Sequence, residues 1–214
     1  MTSNSWNENS SALRLVAVVT DVGGPVALHD ILSELPANFG APIVVVQSSH
    51  DIVLESASAG LRHTIKLKIA QVRHAAKLHA GAVYFIEPGK SFLSMADNDD
   101  IRIGLHSSDQ SDNSAIKLLE DFARILGPAM TAVFLSGRSS AEDVKQLCSI
   151  LESNGCPMLV LARGESVVEE LGDCVLHASS SAAELSSVQI GEYLQQRAGQ
   201  LLPERKSKIR ADKR

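Results

Sequence analysis

The chain has 214 residues, 44% of them hydrophobic, and its formal net charge at pH 7 is −5. This length suits one large domain or two small ones, and the composition can bury a sizeable core, so we favour a single domain. The longest apolar runs, 15–20 and 41–46, fall far short of the roughly 20 residues that cross a bilayer, which argues against membrane insertion. The polar N-terminus does not resemble a secretory signal, so we expect a cytoplasmic protein.

The charge is unevenly distributed along the chain. Residues 203–214 carry six basic and two acidic side chains, a surplus of +4 that leaves −9 for the remainder. An acidic body argues against a nucleic-acid partner, and we interpret the basic end as a disordered tail. We therefore divide the chain into a leader at 1–13, an α/β domain at 14–202 and a tail at 203–214.

The cysteines and histidines show no spacing that would indicate a metal site. Cys148, Cys156 and Cys174 form no C-x-x-C motif, so we interpret them as buried free thiols rather than as a disulfide or zinc framework. We expect the domain to bind no metal and no cofactor.

Strands and helices alternate in the first part of the chain. The β-branched run at 14–20 predicts a buried parallel strand. A glycine turn and Pro25 then open a helix that Pro36 ends. A second buried strand is predicted at 41–47, followed by a short helix from Asp51 to about Arg62.

The middle of the chain has a different pattern. Ile65, Leu67 and Ile69 alternate with two lysines, which predicts a half-exposed edge strand. Short strands at 82–87, 91–94 and 101–105 are separated by strong turn signals, and we interpret them as antiparallel hairpins.

Alternation resumes after residue 115. We predict a helix at 116–126, a strand at 131–136, a helix opened by a capping box at 140–143, a strand at 157–162, a last strand at 173–177 and a final helix at 182–202. This order predicts an α/β fold with three layers: a doubly wound, mostly parallel sheet with an antiparallel hairpin insertion.

Three turns that follow predicted strands form the candidate site. They span 21–25, 47–51 and 137–142, and ligands of open α/β sheets bind beyond the carboxyl ends of the strands. We expect Val22, Gly23, Gly24, Gln47 and Arg138 to line this cleft.

These turns carry a resemblance to a known family. The chain has T-D-V-G-G-P at 20–25, V-V-V-Q-S-S-H at 44–50 and L-S-G-R-S-S-A-E at 135–142, with G-A-V-Y-F-I-E-P-G at 81–89. In order and spacing they resemble the methylesterase domain of the bacterial chemotaxis enzyme CheB, over roughly residues 14–165. The resemblance implies that family's fold.

The resemblance also implies where that family's Ser-His-Asp triad would fall. The nucleophilic serine matches Asp21, the general-base histidine matches Ser48 and the orienting aspartate matches Ala141. None of the three side chains present here can take the role of its counterpart, so the serine esterase mechanism is not expected.

Several alternatives remain open at these positions. His50 and Asp143 each lie two residues beyond a vacant triad position and could replace the missing base and orienter. Asp21 could act as a carboxylate nucleophile or bind a cation together with Asp51. The simpler interpretation is that Asp21 caps the following helix and that Arg138 forms a structural salt bridge with it.

Three hypotheses for function follow. The first is a non-catalytic, methylesterase-like binding or regulatory module in bacterial chemosensory signalling, with a chemoreceptor or a signalling protein as partner. The second is an active protein-glutamate methylesterase or another hydrolase with a rearranged site at Asp21 and His50. The third is a nucleotide-binding module that uses the glycines at 23 and 24.

Overall fold

A parallel sheet of seven strands forms the centre of the protein. In this computed structural model, which describes residues 12–21, 23–47, 60–72, 74–86, 92–96, 100–105 and 114–199, all pairings in this sheet are parallel. The strands are β1 (Leu15–Thr20), β2 (Ile43–Gln47), β3 (Lys68–Val72), β5 (Ala82–Ile86), β8 (Met130–Phe134), β9 (Met158–Leu161) and β10 (Ala183–Leu185). Their order across the sheet is β10-β9-β8-β1-β2-β5-β3.

Helices cover both faces of this sheet. They are α1 (Gly24–Glu34), α2 (Ser114–Leu126), α3 (Ala141–Ser153), α4 (Glu170–Ala178) and α5 (Ser187–Gly199). Alternate residues of β1 point to opposite faces, so Val16 and Val18 pack with α1 and α5, whereas Ala17 and Val19 pack with α2, α3 and α4. Two hydrophobic cores result, and the predicted three-layer, doubly wound α/β fold is confirmed.

A small antiparallel sheet forms the insertion. It consists of β4 (Ala75–Leu78), β6 (Phe92–Ala96) and β7 (Ile101–Leu105), in the order β4-β7-β6. Asp100 lies at the start of β7 and accepts contacts from Lys77 at 2.7 Å and from Arg102 at 3.1 Å. These ion pairs hold the pKa of Asp100 below its usual value.

Two predictions for the middle of the chain were wrong in detail. The strand predicted at 82–87 is not part of a hairpin, because β5 lies between β2 and β3 in the parallel sheet. All five of its residues are buried, as is typical of a strand covered on both faces. The edge strand begins at Lys68 rather than at Ile65, but its edge position and its half-exposed character agree with the expectation.

Two predictions near the C-terminus were also wrong. The strand predicted at 173–177 is helix α4, in which Leu171 and Val175 are buried at helical spacing. The helix predicted at 182–202 is instead strand β10 followed by α5. Ser186 and Gln189 form a reciprocal capping box at this boundary, with the Ser186 amide donating to Gln189 Oε1 at 3.0 Å and the Gln189 amide to Ser186 Oγ at 3.2 Å.

Within the described part of the chain, none of the helices combines the length and the apolar character that a membrane span requires.

Candidate functional site

The candidate site lies at the carboxyl ends of β8, β1 and β2. These strands are neighbours, and their register pairs Thr20 with Gln47 and Val19 with Phe134. The turns that follow them therefore begin at the same edge of the sheet. Val22, Ser48, His50 and Asp51 lie outside the described residues, so the substitute role of His50 stays a prediction.

Asp21 is held closely against the turn that follows β8. Its amide donates a hydrogen bond of 2.7 Å to the Ser136 carbonyl oxygen, and the residue is only 8% exposed. A Cβ atom on Gly137 would lie 2.5 Å from the Asp21 Cβ, and Gly137 has a φ of 152°, which other residues rarely adopt. Two of the three predicted turns are thus in contact at Asp21.

The turn between β1 and α1 depends on two glycines. Gly23 has a φ of 83° and is the N-cap residue of α1, so Asp21 is not the N-cap that we expected. Its main-chain carbonyl instead accepts a hydrogen bond of 3.0 Å from the Gly24 amide. A side chain on Gly24 would overlap the Thr20 hydroxyl, which is buried and makes no hydrogen bond within the described residues. Thr20 therefore faces the helix and offers no exposed nucleophile.

A segment after β9 covers this turn. We call residues 166–168 the strap. The Val168 amide donates to Ser136 Oγ at 3.0 Å, and the Gly137 amide donates to the Val168 carbonyl at 3.1 Å. Val167 lies directly over Gly23, where an added Cβ would overlap it. Ser136, a buried serine two residues after β8, was a possible signal, since a buried hydroxyl needs a hydrogen-bond partner.

The residues just before the strap, 163–165, are also anchored. The Ser187 amide, in the first turn of α5, donates to Glu165 Oε2 at 2.8 Å, and the Arg163 amide donates to Glu184 Oε1 at 3.0 Å. Arg163 also pairs with Asp173 at 2.8 Å. The residues before the strap are therefore fastened to β10, to α4 and to the first turn of α5, and the strap itself is fastened to the turn after β8.

Arg138 and Ala141 lie on the outer side of the site. Both are exposed, and Ala141 is the first residue of α3. Within the part of the chain that the structure describes, Arg138 makes no ion pair, so the expected salt bridge with Asp21 is not formed there. Ser140 caps α3 by accepting from the Asp143 amide at 3.5 Å, as the capping box predicted.

Two of the three cysteines are buried and unsuited to act as nucleophiles. Cys148 and Cys156 are buried free thiols, and Cys174 is half-buried. Burial raises the pKa of Cys148 and of Cys156 to about 11, so both thiols are protonated near neutral pH.

Comparison with known proteins identifies the family. The sequence profile described as CheB methylesterase matches residues 16–194, which is most of the chain. The chain belongs to the CheB methylesterase family. The resemblance in the turns is thereby confirmed at the level of the family.

Two relatives of this family are named protein-glutamate methylesterase/protein-glutamine glutaminase. The protein from Photobacterium profundum is 31% identical over 142 residues, covering 62% of this chain and 36% of the relative. The protein from Pseudoalteromonas atlantica is 25% identical over 189 residues, covering 86% of this chain and 49% of the relative. The chain thus spans half or less of the length of these relatives.

A solved structure shares the fold. The CheB methylesterase catalytic domain of Thermotoga maritima superposes with a TM-score of 0.77 at 24% identity, and the match covers 87% of this chain and 99% of that domain. The sheet, both helical layers and the site edge described above therefore belong to the CheB methylesterase fold.

Proposed function

We propose that this chain is a CheB methylesterase-like domain that binds a chemoreceptor or a chemosensory signalling protein without hydrolysing esters. The observation that carries the proposal is Asp21, a nearly buried carboxylate at the position that matches the family's nucleophilic serine. A carboxylate cannot be deprotonated to an alkoxide, and the matching histidine and aspartate positions hold Ser48 and Ala141.

The surroundings of Asp21 support a binding role for this edge of the sheet. The strap lies over Gly23, and Gly137 contacts Asp21. The strap, the turn after β1 and the turn after β8 therefore lie close against one another. Arg138 and Ala141 are exposed beside them and can meet a partner surface. The family's substrate class makes a chemoreceptor the first partner to test.

The test combines hydrolysis with binding. The purified chain is incubated with a methylated chemoreceptor fragment, and released methanol and receptor binding are measured in parallel. We expect binding without methanol release above the uncatalysed rate. A receptor that is neither bound nor hydrolysed contradicts the proposed partner.

The matched variant pair is Asp21→Asn and Asp121→Asn, the latter on α2 away from the site. Methanol release that the first variant abolishes and the second retains would establish the alternative, a hydrolase with a rearranged site at Asp21 and His50. A trapped covalent adduct on Asp21 would support the same conclusion.

A further inference from the structure

One long segment of this acidic chain contains no acidic residue. Residues 56–86 hold none of the 25 Asp and Glu residues. They hold five Lys or Arg residues, so the segment contributes +5 and leaves −10 for the other residues when histidine is counted as neutral. The distribution of charge along this chain is therefore strongly uneven.

The basic side chains near the start of this segment are directed to solvent. Arg62, His63, Lys66 and Lys68 are all exposed, and so is His79 further along. None of them forms an ion pair with any residue that the structure describes. The positive charge of Arg62 and of the two lysines is therefore directed outward rather than into contacts within the fold.

Two strands bring Lys68 and His79 together. The Lys68 amide, at the start of β3, donates a hydrogen bond of 3.0 Å to the Gly81 carbonyl, and Lys68 pairs in register with Ala82. His79 lies two residues before Gly81, so it lies close to the amino ends of both β3 and β5.

A compact turn holds Arg62 and His63 close to the same place. The Ile65 amide donates to the Leu61 carbonyl at 3.1 Å, and Leu61 and Leu67 are buried in one hydrophobic core. The turn is therefore fixed at both ends, only a few residues from the start of β3. We call the resulting patch the basic surface, and it consists of Arg62, His63, Lys66, Lys68 and His79.

The loop beside the basic surface does not offset its charge. A Cβ atom added at Gly81 would lie 2.7 Å from the Ala37 carbonyl oxygen, so the loop after α1 packs against this end of the sheet. Residues 35–50 contain no Asp or Glu. Asp100 does contact the segment through Lys77 at 2.7 Å, but it is shared with Arg102 at 3.1 Å.

We propose that the basic surface binds a flexible acidic segment of a partner protein through contacts between side chains. Lysine and arginine side chains are long and mobile, so they can meet carboxylates of a segment that has no fixed conformation. Opposite charge selects the partner and speeds the encounter, and binding of this kind weakens as salt is added.

The described side chains favour a protein partner over nucleic acid or a membrane. The aromatic residues of the segment, Tyr84 and Phe85, are buried, so they offer no exposed platform on which bases could stack. The large exposed apolar side chains of the described residues all lie outside the segment, so a lipid surface would find no apolar anchor there. The charge of −10 on the other residues also repels a long polyanion.

The basic surface is separate from the candidate site around Asp21. Strands β1, β2, β5 and β3 run in the same direction, and the candidate site lies at carboxyl ends whereas the basic surface lies at amino ends. The two surfaces are therefore at opposite ends of the sheet, and either can bind its partner without the other.

The probe is a peptide of about ten residues in which Glu and Ser alternate, which spans roughly 30 Å when extended. It is titrated into the isotope-labelled chain, and amide shifts are followed by nuclear magnetic resonance. We expect shifts centred on residues 61–68 and 79–82. We also expect binding to weaken severalfold when the salt concentration rises from about 50 to about 200 mM.

The charge-reversal variant Lys66→Glu/Lys68→Glu should bind the peptide at least about tenfold more weakly. The matched control is Lys117→Glu/Lys145→Glu, which makes the same change in charge on exposed positions of α2 and α3 and should bind nearly as well as the unaltered chain. Arg62→Glu, in the turn before β3, provides a second variant outside the strand and should also weaken binding. Circular dichroism checks that each variant keeps its fold.

The proposal is overturned by any of four results: no binding at low salt, equal loss in both double variants, equal binding of a Lys-Ser peptide, or tighter binding of duplex DNA or anionic vesicles than of the Glu-Ser peptide. Failure here leaves the proposed function at Asp21 untouched, because that function is tested with Asp21 variants and a receptor fragment.

Discussion

Gly137 lies where a larger side chain would strike Asp21. Its φ of 152° and the 2.5 Å approach of an added Cβ to the Asp21 Cβ both oppose substitution. We expect Gly137→Ala to lower the free energy of unfolding by about 1–3 kcal/mol, as overpacking does elsewhere. Denaturant unfolding measures this, with Gly164→Ala as the control, since an added Cβ there meets nothing within 4 Å.

The hydrogen bonds of Glu152 should make the stability of the protein depend on pH. Its carboxylate accepts hydrogen bonds from the Ser179 and Ser181 hydroxyls, which lower the pKa of Glu152 below its usual value of 4.5. A lowered folded-state pKa stabilises the fold above the unfolded-state pKa, and this contribution disappears as the pH falls through the folded-state value.

We therefore expect Ser179→Ala to destabilise the protein more at pH 7 than at pH 3. Unfolding is measured at both values for the unaltered chain and for the variant. Ser153→Ala removes an exposed hydroxyl that donates to the Ser149 carbonyl and to no other described residue, and its effect should not change with pH. A Ser179→Ala effect of equal size at both pH values would contradict the assigned hydrogen bonds.

The strap is held in place by a hydrogen bond to one buried serine. Ser136 is fully buried and its hydroxyl accepts the Val168 amide, so removal of the hydroxyl leaves that amide without its partner. We expect Ser136→Ala to cost about 1–3 kcal/mol and to speed hydrogen exchange at the Val168 amide. Ser33→Ala, which removes a hydroxyl bonded within α1, should leave that exchange unchanged.

Sequence patterns were sufficient to predict some of the helices and strands but not others. Helices α1 and α3 were predicted because Pro25 and Ser140 mark their first turns and apolar residues recur along one face. Helix α4 was mistaken for a strand because five residues are too few to distinguish a helical period from a strand. Strand β10 was missed because three residues adopt that conformation only through pairing with β9.

At the scale of the whole molecule, the sheet order places the carboxyl ends of β8, β1 and β2 side by side. We propose that the chain does not hydrolyse esters because Asp21, Ser48 and Ala141 replace the triad side chains. If so, the combined variant Asp21→Ser/Ser48→His/Ala141→Asp should hydrolyse esters above the background of the unaltered chain. Released acid from a simple ester is measured. The control carries Asp21→Ala with the other two changes and should stay at background.

No gain in the triple variant, with its fold retained by circular dichroism, would show that the strap or the surrounding turns also prevent catalysis. Val167→Gly in that background separates these cases, because it removes the side chain that lies over Gly23. Activity that appears only with this change would assign the block to the strap.

The class of fold, the first turns of two helices and the resemblance to the family could be predicted from the sequence, because they depend on local periodicity and on the order and spacing of short motifs. Only the folded structure shows that β5 lies inside the parallel sheet, that the strap covers Gly23 and that Asp21 contacts Gly137. These features arise from contacts between residues far apart in the chain. Such contacts produce no pattern in the local sequence.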